Sequence, residues 1–280
     1  MIVCSLGYGY TAMFLLKELC AHGVRSIGIT SNKKKIKSNS IDNLKLYPRE
    51  KTEFAISKAT HLIITAPPSK IGCPILLQYF KFIAKSNINS VVYISTTGVY
   101  GNHNGNLVDE TSTIKGKNIL DKNRIYSEMQ WNKFCKNNQI KLNIIRLGSI
   151  YGPSRCNSFK GKHREVIIKK NHFFSRIHIY DISRIITKIL LEGYSNEIWN
   201  VVDNEPSSRE DYLREIIKLK KIKNFKTVDF LDVQKSMKKN TKKYWTNNKR
   251  VDNSKIRYKL SFTFLFPSYR EGLKNLIREL

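Results

Sequence analysis

The first dozen residues constrain this chain more than any other stretch. An apolar run, Ile2-Val3-Cys4-Ser5-Leu6, leads directly into Gly7-Tyr8-Gly9-Tyr10-Thr11-Ala12. Ala12, Leu15, Leu16 and Leu19 then recur at helical spacing. The order is strand, tight turn, helix, with the pattern G-x-G-x-x-A in the turn. Gly7 permits the sharp turn, Gly9 lets a diphosphate approach the backbone, and Ala12 lets helix pack on strand. The helix start adds unpaired N–H groups and the positive end of its dipole. Gly7, Tyr8, Gly9, Tyr10 and Thr11 are therefore candidate dinucleotide-binding residues. The plainer alternative is a turn that merely needs small residues, but its place between a strand and a helix speaks for the phosphate site.

Val24 to Thr30 is a second strand candidate, set beside the first in a βαβ unit. Its end is where chains that bind NAD place an Asp or Glu for the ribose 2′-hydroxyl. Here the sequence reads Thr30-Ser31-Asn32-Lys33-Lys34-Lys35, with hydroxyls and cations but no carboxylate. That chemistry suits a 2′-phosphate, so NADP is favoured over NAD, with Thr30, Ser31, Asn32 and Lys33 as candidates. A solvated basic loop is the bland alternative.

Lys45 to Tyr47 and His61 to Thr65 follow as strands three and four. Ala66-Pro67-Pro68 stops the fourth and carries the chain over the sheet edge, where a cofactor would pass. This adds Ala66 and Pro67 to the candidates. A helix from Pro74 to Ser86, a buried strand from Ser90 to Ser95 and a sixth strand from Lys141 to Arg146 continue the alternation. The expected fold is α/β: a doubly wound parallel Rossmann sheet of order 3-2-1-4-5-6, with a smaller C-terminal substrate-binding part. The boundary is expected near residue 165, giving 1–165 and 166–280, the second interleaved with the first. Ile182 to Leu191 reads as a helix, Glu197 to Val202 as a strand of the smaller part, and Ser207 or Ser208 as the cap of a helix reaching Leu219. Lys220 to Lys249 reads as a lid or surface loop.

The net charge of +28 raises the question of a polyanion partner. The lysines are spread along the chain among Asn and Ile, and no nucleic-acid motif accompanies them. Only nonspecific retention at low salt is expected. Five widely separated cysteines without C-x-x-C and six scattered histidines suggest neither disulfides nor a metal site. Met1 to Leu16 lacks a basic start and is too short to span a bilayer, which points to a cytoplasmic protein without a membrane.

After the fifth strand comes Ser95-Thr96-Thr97-Gly98-Val99-Tyr100-Gly101. It resembles the S-(S/T)-x-x-V-Y-G signature of the extended short-chain dehydrogenase/reductases, the NAD-dependent epimerase/dehydratase family. Further matches follow in order: Val108-Asp109-Glu110, then Arg146-Leu147-Gly148-Ser149-Ile150-Tyr151-Gly152-Pro153, then Arg176 to Ile182 with His178 and Asp181. Near the end, Lys249 to Ile256 and Phe266 to Leu273 resemble the closing segments of the group. The resemblance implies a Ser/Thr that hydrogen-bonds the substrate oxygen, a Tyr that moves the proton, and a Lys four residues on that eases its release. Thr96 matches the Ser/Thr.

The sequence departs from the family pattern at the Tyr and Lys. The best match to Y-x-x-x-K-x-x-x-E places Leu120 at the Tyr, Arg124 at the Lys and Glu128 at the acid. Leu has no proton to give, and Arg124 can donate to ribose hydroxyls or an anion but cannot act as a base. This resembles the atypical branch, which keeps the dinucleotide fold and lacks the Tyr-Lys pair. A displaced phenol (Tyr126 or Tyr100), polarisation by Thr96, Arg124 and water, or no catalysis at all remain open. Ser149 and Tyr151 are expected near the nicotinamide, under a loop from Leu147 to Lys162. The expected function is NADP-dependent redox chemistry on a small carbonyl or nucleotide-sugar-like substrate, with Thr96, Arg124 and Tyr126 as catalytic candidates. An epimerase or dehydratase is a variant of it, and a catalytically inactive NADP-binding regulatory protein is the alternative. The oligomeric state is left open, a homodimer being one option.

Overall fold

The computed structural model describes residues 1–155, 165–237, 242 and 245–278. In chain order, β1 (Ile2–Leu6), α1 (Tyr10–Ala21), β2 (Arg25–Ile29), α2 (Lys33–Lys37), β3 (Leu44–Tyr47), α3 (Thr52–Lys58), β4 (His61–Ile64), α4 (Pro74–Ala84) and β5 (Ser90–Thr96) come first. Then follow β6 (Leu107–Val108), α5 (Ile119–Asn137), β7 (Lys141–Leu147), β8 (Ser149–Tyr151), β9 (Glu165–Ile168), β10 (Arg176–His178), α6 (Ile179–Leu191) and β11 (Glu197–Val201). The chain closes with α7 (Arg209–Leu219), β12 (Lys226–Asp229), α8 (Phe230–Val233), β13 (Arg250–Val251) and helices at Ser254–Lys259 and Tyr269–Arg278.

Two compact units share these elements. The first comprises Met1–Thr96, Ile119–Arg146 and Ile182–Trp199. The main sheet runs β11-β7-β5-β4-β1-β2-β3. It is the expected 3-2-1-4-5-6 order, with β7 in sixth place, extended by one strand. That strand, β11, was expected in the smaller C-terminal part, and it pairs beside β7 instead. Strands β1 to β5 pair in parallel, with Cys4 opposite Ile27 on one side and Leu62 on the other. Parallel strands covered on both faces need apolar side chains on both. Accordingly β1 buries four of its five residues and β5 six of its seven. The helix α1 covers one face with Ala12, Leu15, Leu16 and Leu19, all fully buried. Leu62, Ile64, Val91 and Tyr93 join Ile56, Ile83 and Trp131 in a single apolar cluster.

A buried ion pair ties α5 to the sheet. Glu128 accepts from Arg146 Nη2 at 2.8 Å and Nε at 3.3 Å, and from the Ser95 hydroxyl. The Arg146 and Glu128 side chains are 3% and 7% exposed, so both charges depend on each other for compensation.

The second unit comprises Thr97–Asn118, Leu147–Asp181 and Asn200–Leu280. Its short parallel pairs, β8 with β10, β9 with β12 and β6 with β13, join segments far apart in sequence. Tyr151, Val166, Leu213, Ile216, Tyr269 and Leu273 form its core. Ser208 starts α7 with a full capping box, accepting from Asp211 N while the Asp211 carboxylate accepts from Ser208 N. Within the stretch read as a lid or loop, β12 and α8 are ordered elements; residues 238–241 and 243–244 lie outside the described residues, as does Cys156 with residues 156–164 of the expected nicotinamide loop. Among the described residues no helix is long and apolar enough to cross a membrane.

Candidate functional site

The opening turn is built as its glycines dictate. Gly7 has φ of +118°, a backbone region that L side chains rarely adopt, and a Cβ there would stand 2.7 Å from Thr65 Oγ1. Two hydroxyls hold the turn by donating to the Gly7 carbonyl: Ser5 Oγ at 2.8 Å and Thr65 Oγ1 at 2.9 Å. Gly9 is different. It is the N-cap of α1, its φ is an ordinary −82°, and no side chain caps the helix. A Cβ on Gly9 would meet no atom within 4 Å. The glycine therefore keeps clear a space in front of the first N–H groups of a twelve-residue helix, whose first turn carries no acid.

That space belongs to a cavity of about 1000 Å³ whose described lining residues all come from the first unit. It is large enough for a dinucleotide-sized ligand. Gly7, Tyr8 and Gly9 line it from the turn, Thr30 and Ser31 from the end of β2, and Ala66 and Pro67 from the end of β4. These seven sequence-predicted residues are thus brought together. Tyr10, Thr11, Asn32 and Lys33 stand outside the lining. Tyr10 packs edge-on to Phe14 at 5.1 Å. Asn32 caps α2 by accepting from Lys35 N, and its own N–H donates to Thr30 Oγ1 at 3.1 Å. Lys33 begins the exposed helix α2. Ser149 starts β8 in the second unit and is exposed there.

Sequence reasoning missed the remaining wall. Arg49, Glu50, Thr52 and Glu53 enter it from the turn after β3 and the start of α3, and Gln78 and Tyr79 from α4. The register explains the first group: Ile29 lies opposite Tyr47, and Thr30 N donates to the Tyr47 carbonyl at 3.0 Å. The segments leaving β2 and β3 therefore run side by side. Pro48, which stops β3, was the local signal available.

The catalytic candidates are placed as follows. Thr96 ends β5 and is half-buried. Arg124 Nη1 donates to the Ile94 carbonyl at 2.7 Å and to the Tyr93 hydroxyl at 3.2 Å, which fastens α5 to β5 just before Thr96. Burial raises the Tyr93 phenol, and the Arg124 cation opposes this in part. Leu120 is exposed in the first turn of α5. Tyr126 is two residues beyond Arg124, about 200° around the helix, and exposed. The structure thus brings Arg124 to the end of β5 and leaves Tyr126 on another face. Of the phenols, Tyr100 is fully buried in the second unit and donates to Asn200 Oδ1 at 2.7 Å.

The other family-like residues of the second unit hold its own structure. Tyr151 donates to the Ser268 carbonyl. His178 lies 5.1 Å from the Tyr151 ring and 4.1 Å from that of Phe266, and burial pushes its imidazole down to about 4. Asp181 accepts from the backbone N–H groups of Leu265 and Phe266. Among the described residues, no three His, Cys, Asp or Glu side chains are arranged to hold a metal ion.

Comparison with known proteins agrees with this architecture. Residues 75–201 match the sequence model of the NAD dependent epimerase/dehydratase family. A functionally unknown conserved protein from Silicibacter pomeroyi is 29% identical and superposes with a TM-score of 0.91, over 99% of this chain and 98% of that one. UDP-glucuronic acid 4-epimerase from Bacillus cereus, solved in complex with NAD, is 16% identical with a TM-score of 0.78, over 99% and 96%. The human epimerase family protein SDR39U1, solved with NADPH, is 13% identical with a TM-score of 0.74, over 100% and 99%. The last two likenesses concern the fold. No curated protein matches the sequence. Over residues 75–201 the chain is similar to the NAD dependent epimerase/dehydratase family, and that segment lies in a Rossmann-type sheet.

Proposed function

We propose that the chain binds a nicotinamide dinucleotide in the first-unit cavity, NADP in preference to NAD, and uses it on a small carbonyl or nucleotide-sugar-like substrate. One observation carries the reading: the clear space that Gly9 keeps before α1, inside a cavity lined by both strand ends that flank the turn. The backbone amides after Gly9 are aimed as a diphosphate requires. The end of β2 presents Thr30 and Ser31 without an acid, which favours a phosphorylated ribose. The Bacillus cereus epimerase with NAD and the human protein with NADPH show that folds of this kind hold either dinucleotide.

The nicotinamide, when bound, supplies the hydride chemistry. Thr96 donates a hydrogen bond to the substrate oxygen from the end of β5. Arg124 sets that strand end through the Ile94 carbonyl and keeps a positive charge beside it. With Leu120 where a phenol is usual, the proton comes from Tyr126 or from water. Replacing Tyr126 with Phe decides between them: unchanged turnover removes Tyr126 from the mechanism. The reading itself is tested by fluorescence titration with NADPH and NADH. Tighter binding of NADPH supports it, and failure to bind either dinucleotide overturns it. A substrate-dependent change in nicotinamide absorbance then distinguishes an oxidoreductase from a protein that only binds.

A further inference from the structure

The charge distribution of the cavity does not follow the lysine run that the sequence advertises. Lys33, Lys34 and Lys35 belong to α2 and stand outside the lining. Asn32 turns the chain away by capping α2. Lys35 instead lies 5.4 Å from the centroid of the Tyr8 ring. Among the described lining residues the one cation is Arg49, and it is flanked by two carboxylates, Glu50 and Glu53. No ion pair involves Arg49 among the described residues. Ile29 lies opposite Tyr47, Ser31 and Arg49 each follow two residues beyond that pair, and both line the cavity.

From this juxtaposition we propose that Arg49 is the residue that selects NADP, its guanidinium gripping the 2′-phosphate beside the Thr30 and Ser31 hydroxyls. The inference rests on the dinucleotide reading above. A guanidinium offers several N–H donors in a planar fork that matches a phosphate, which an ammonium does not. Without Arg49 the same wall would hold two carboxylates and no cation, and a 2′-phosphate would be repelled. The selectivity therefore hangs on one side chain from the β3 end, and Glu50 and Glu53 set how strongly it is needed. Lys35 is held over the Tyr8 ring, and Lys33 and Lys34 act from a distance, through a field that salt screens.

The experiment uses the full chain and pairs of ligands that differ in the 2′-phosphate alone: NADPH against NADH, and adenosine 2′,5′-bisphosphate against adenosine 5′-monophosphate, titrated by calorimetry at moderate salt. The wild type is expected to favour the phosphorylated member by about tenfold or more, the range of a charge-assisted contact. Arg49→Ala should bring the two to parity or reverse them while leaving NADH affinity within about twofold. Arg49→Lys should recover part of the preference, and Glu53→Gln should tighten NADPH alone. Arg49 is exposed, so circular dichroism and the melting temperature should be unchanged. Retention of the preference in Arg49→Ala, or its loss only when Lys33, Lys34 and Lys35 are replaced together, overturns the assignment. A wild type that binds NADH as tightly as NADPH also overturns it while sparing dinucleotide binding. A wild type that binds no dinucleotide removes the functional reading first, and this inference with it.

Discussion

At the scale of single residues, the two glycines of the opening turn do different work, although the pattern G-x-G-x-x-A treats them alike. Gly7 is required by the backbone: its φ is positive and Thr65 leaves no room for a Cβ. Gly9 is under neither constraint, and what it keeps free is space outside the protein. The motif was legible because turn geometry and phosphate approach impose spacing on the sequence directly. The environment of Glu128 was not. Its alignment with an acidic position says nothing of the bidentate partner, which arrives from β7 as Arg146. Removing one charge leaves the other buried and uncompensated. Glu128→Gln is therefore expected to lower stability by about 3–5 kcal/mol, read as the shift of a urea unfolding midpoint. A shift within a few tenths would mean that Arg146 finds other compensation.

Among the elements, the main strands were readable because burial on both faces demands continuous apolar runs, and their bounds agree with the sequence within a residue or two. The helices α2 and α3 were missed. The sequence of α2, Lys-Lys-Lys-Ile-Lys, buries nothing, so it carries no periodicity to detect. The helix α5 was reached through the family resemblance and not through periodicity, because its buried face mixes Asp121, Ser127 and Glu128 with Trp131 and Cys135. The short pairs of the second unit, such as β12 with β9, depend on partners distant in sequence and leave no local signal. The walls supplied by Arg49, Glu50 and Glu53 were unreadable likewise, since they come to line one cavity with Ser31 only through the β2–β3 register. Helix ends are more local. The Ser208 capping box was foreseeable in part, and Ser208→Ala should cost about 1 kcal/mol by losing the bond to Asp211 N. Because α7 packs in the second-unit core, the loss should appear in global unfolding, and an unchanged midpoint would show that the helix end frays without consequence.

For the whole molecule, acid sensitivity follows from two histidines of the second unit. Burial pushes both His172 and His178 down to about 4, from an ordinary value of 6.5. The unfolded chain binds protons there first, so their contribution is complete above pH 6.5 and is lost as pH falls toward 4. Asp203, raised by burial, acts in the opposite sense: its protonated form favours the folded state as the pH falls. The comparison with a variant isolates the histidine. Between pH 7 and pH 5 the wild type should lose about 1–2 kcal/mol more than His178→Gln. Equal losses would mean that His178 stays accessible to protons when folded. The +28 charge predicts, in addition, weak salt-labile retention on polyanion resins and no sequence-specific nucleic-acid binding.

The account stands on the space before α1 as a diphosphate site. Calorimetric titration of NADPH into the wild type and Gly9→Val, with the melting temperature of each unliganded protein, tests it directly. A Cβ at residue 9 meets nothing in the protein, so the variant should lose only the roughly 1 kcal/mol of a poorer helix cap and stay folded. The wild type should bind one equivalent with a Kd on the order of micromolar, and the variant should bind at least about tenfold more weakly. No binding by the wild type, or equal binding by both, would contradict the central claim.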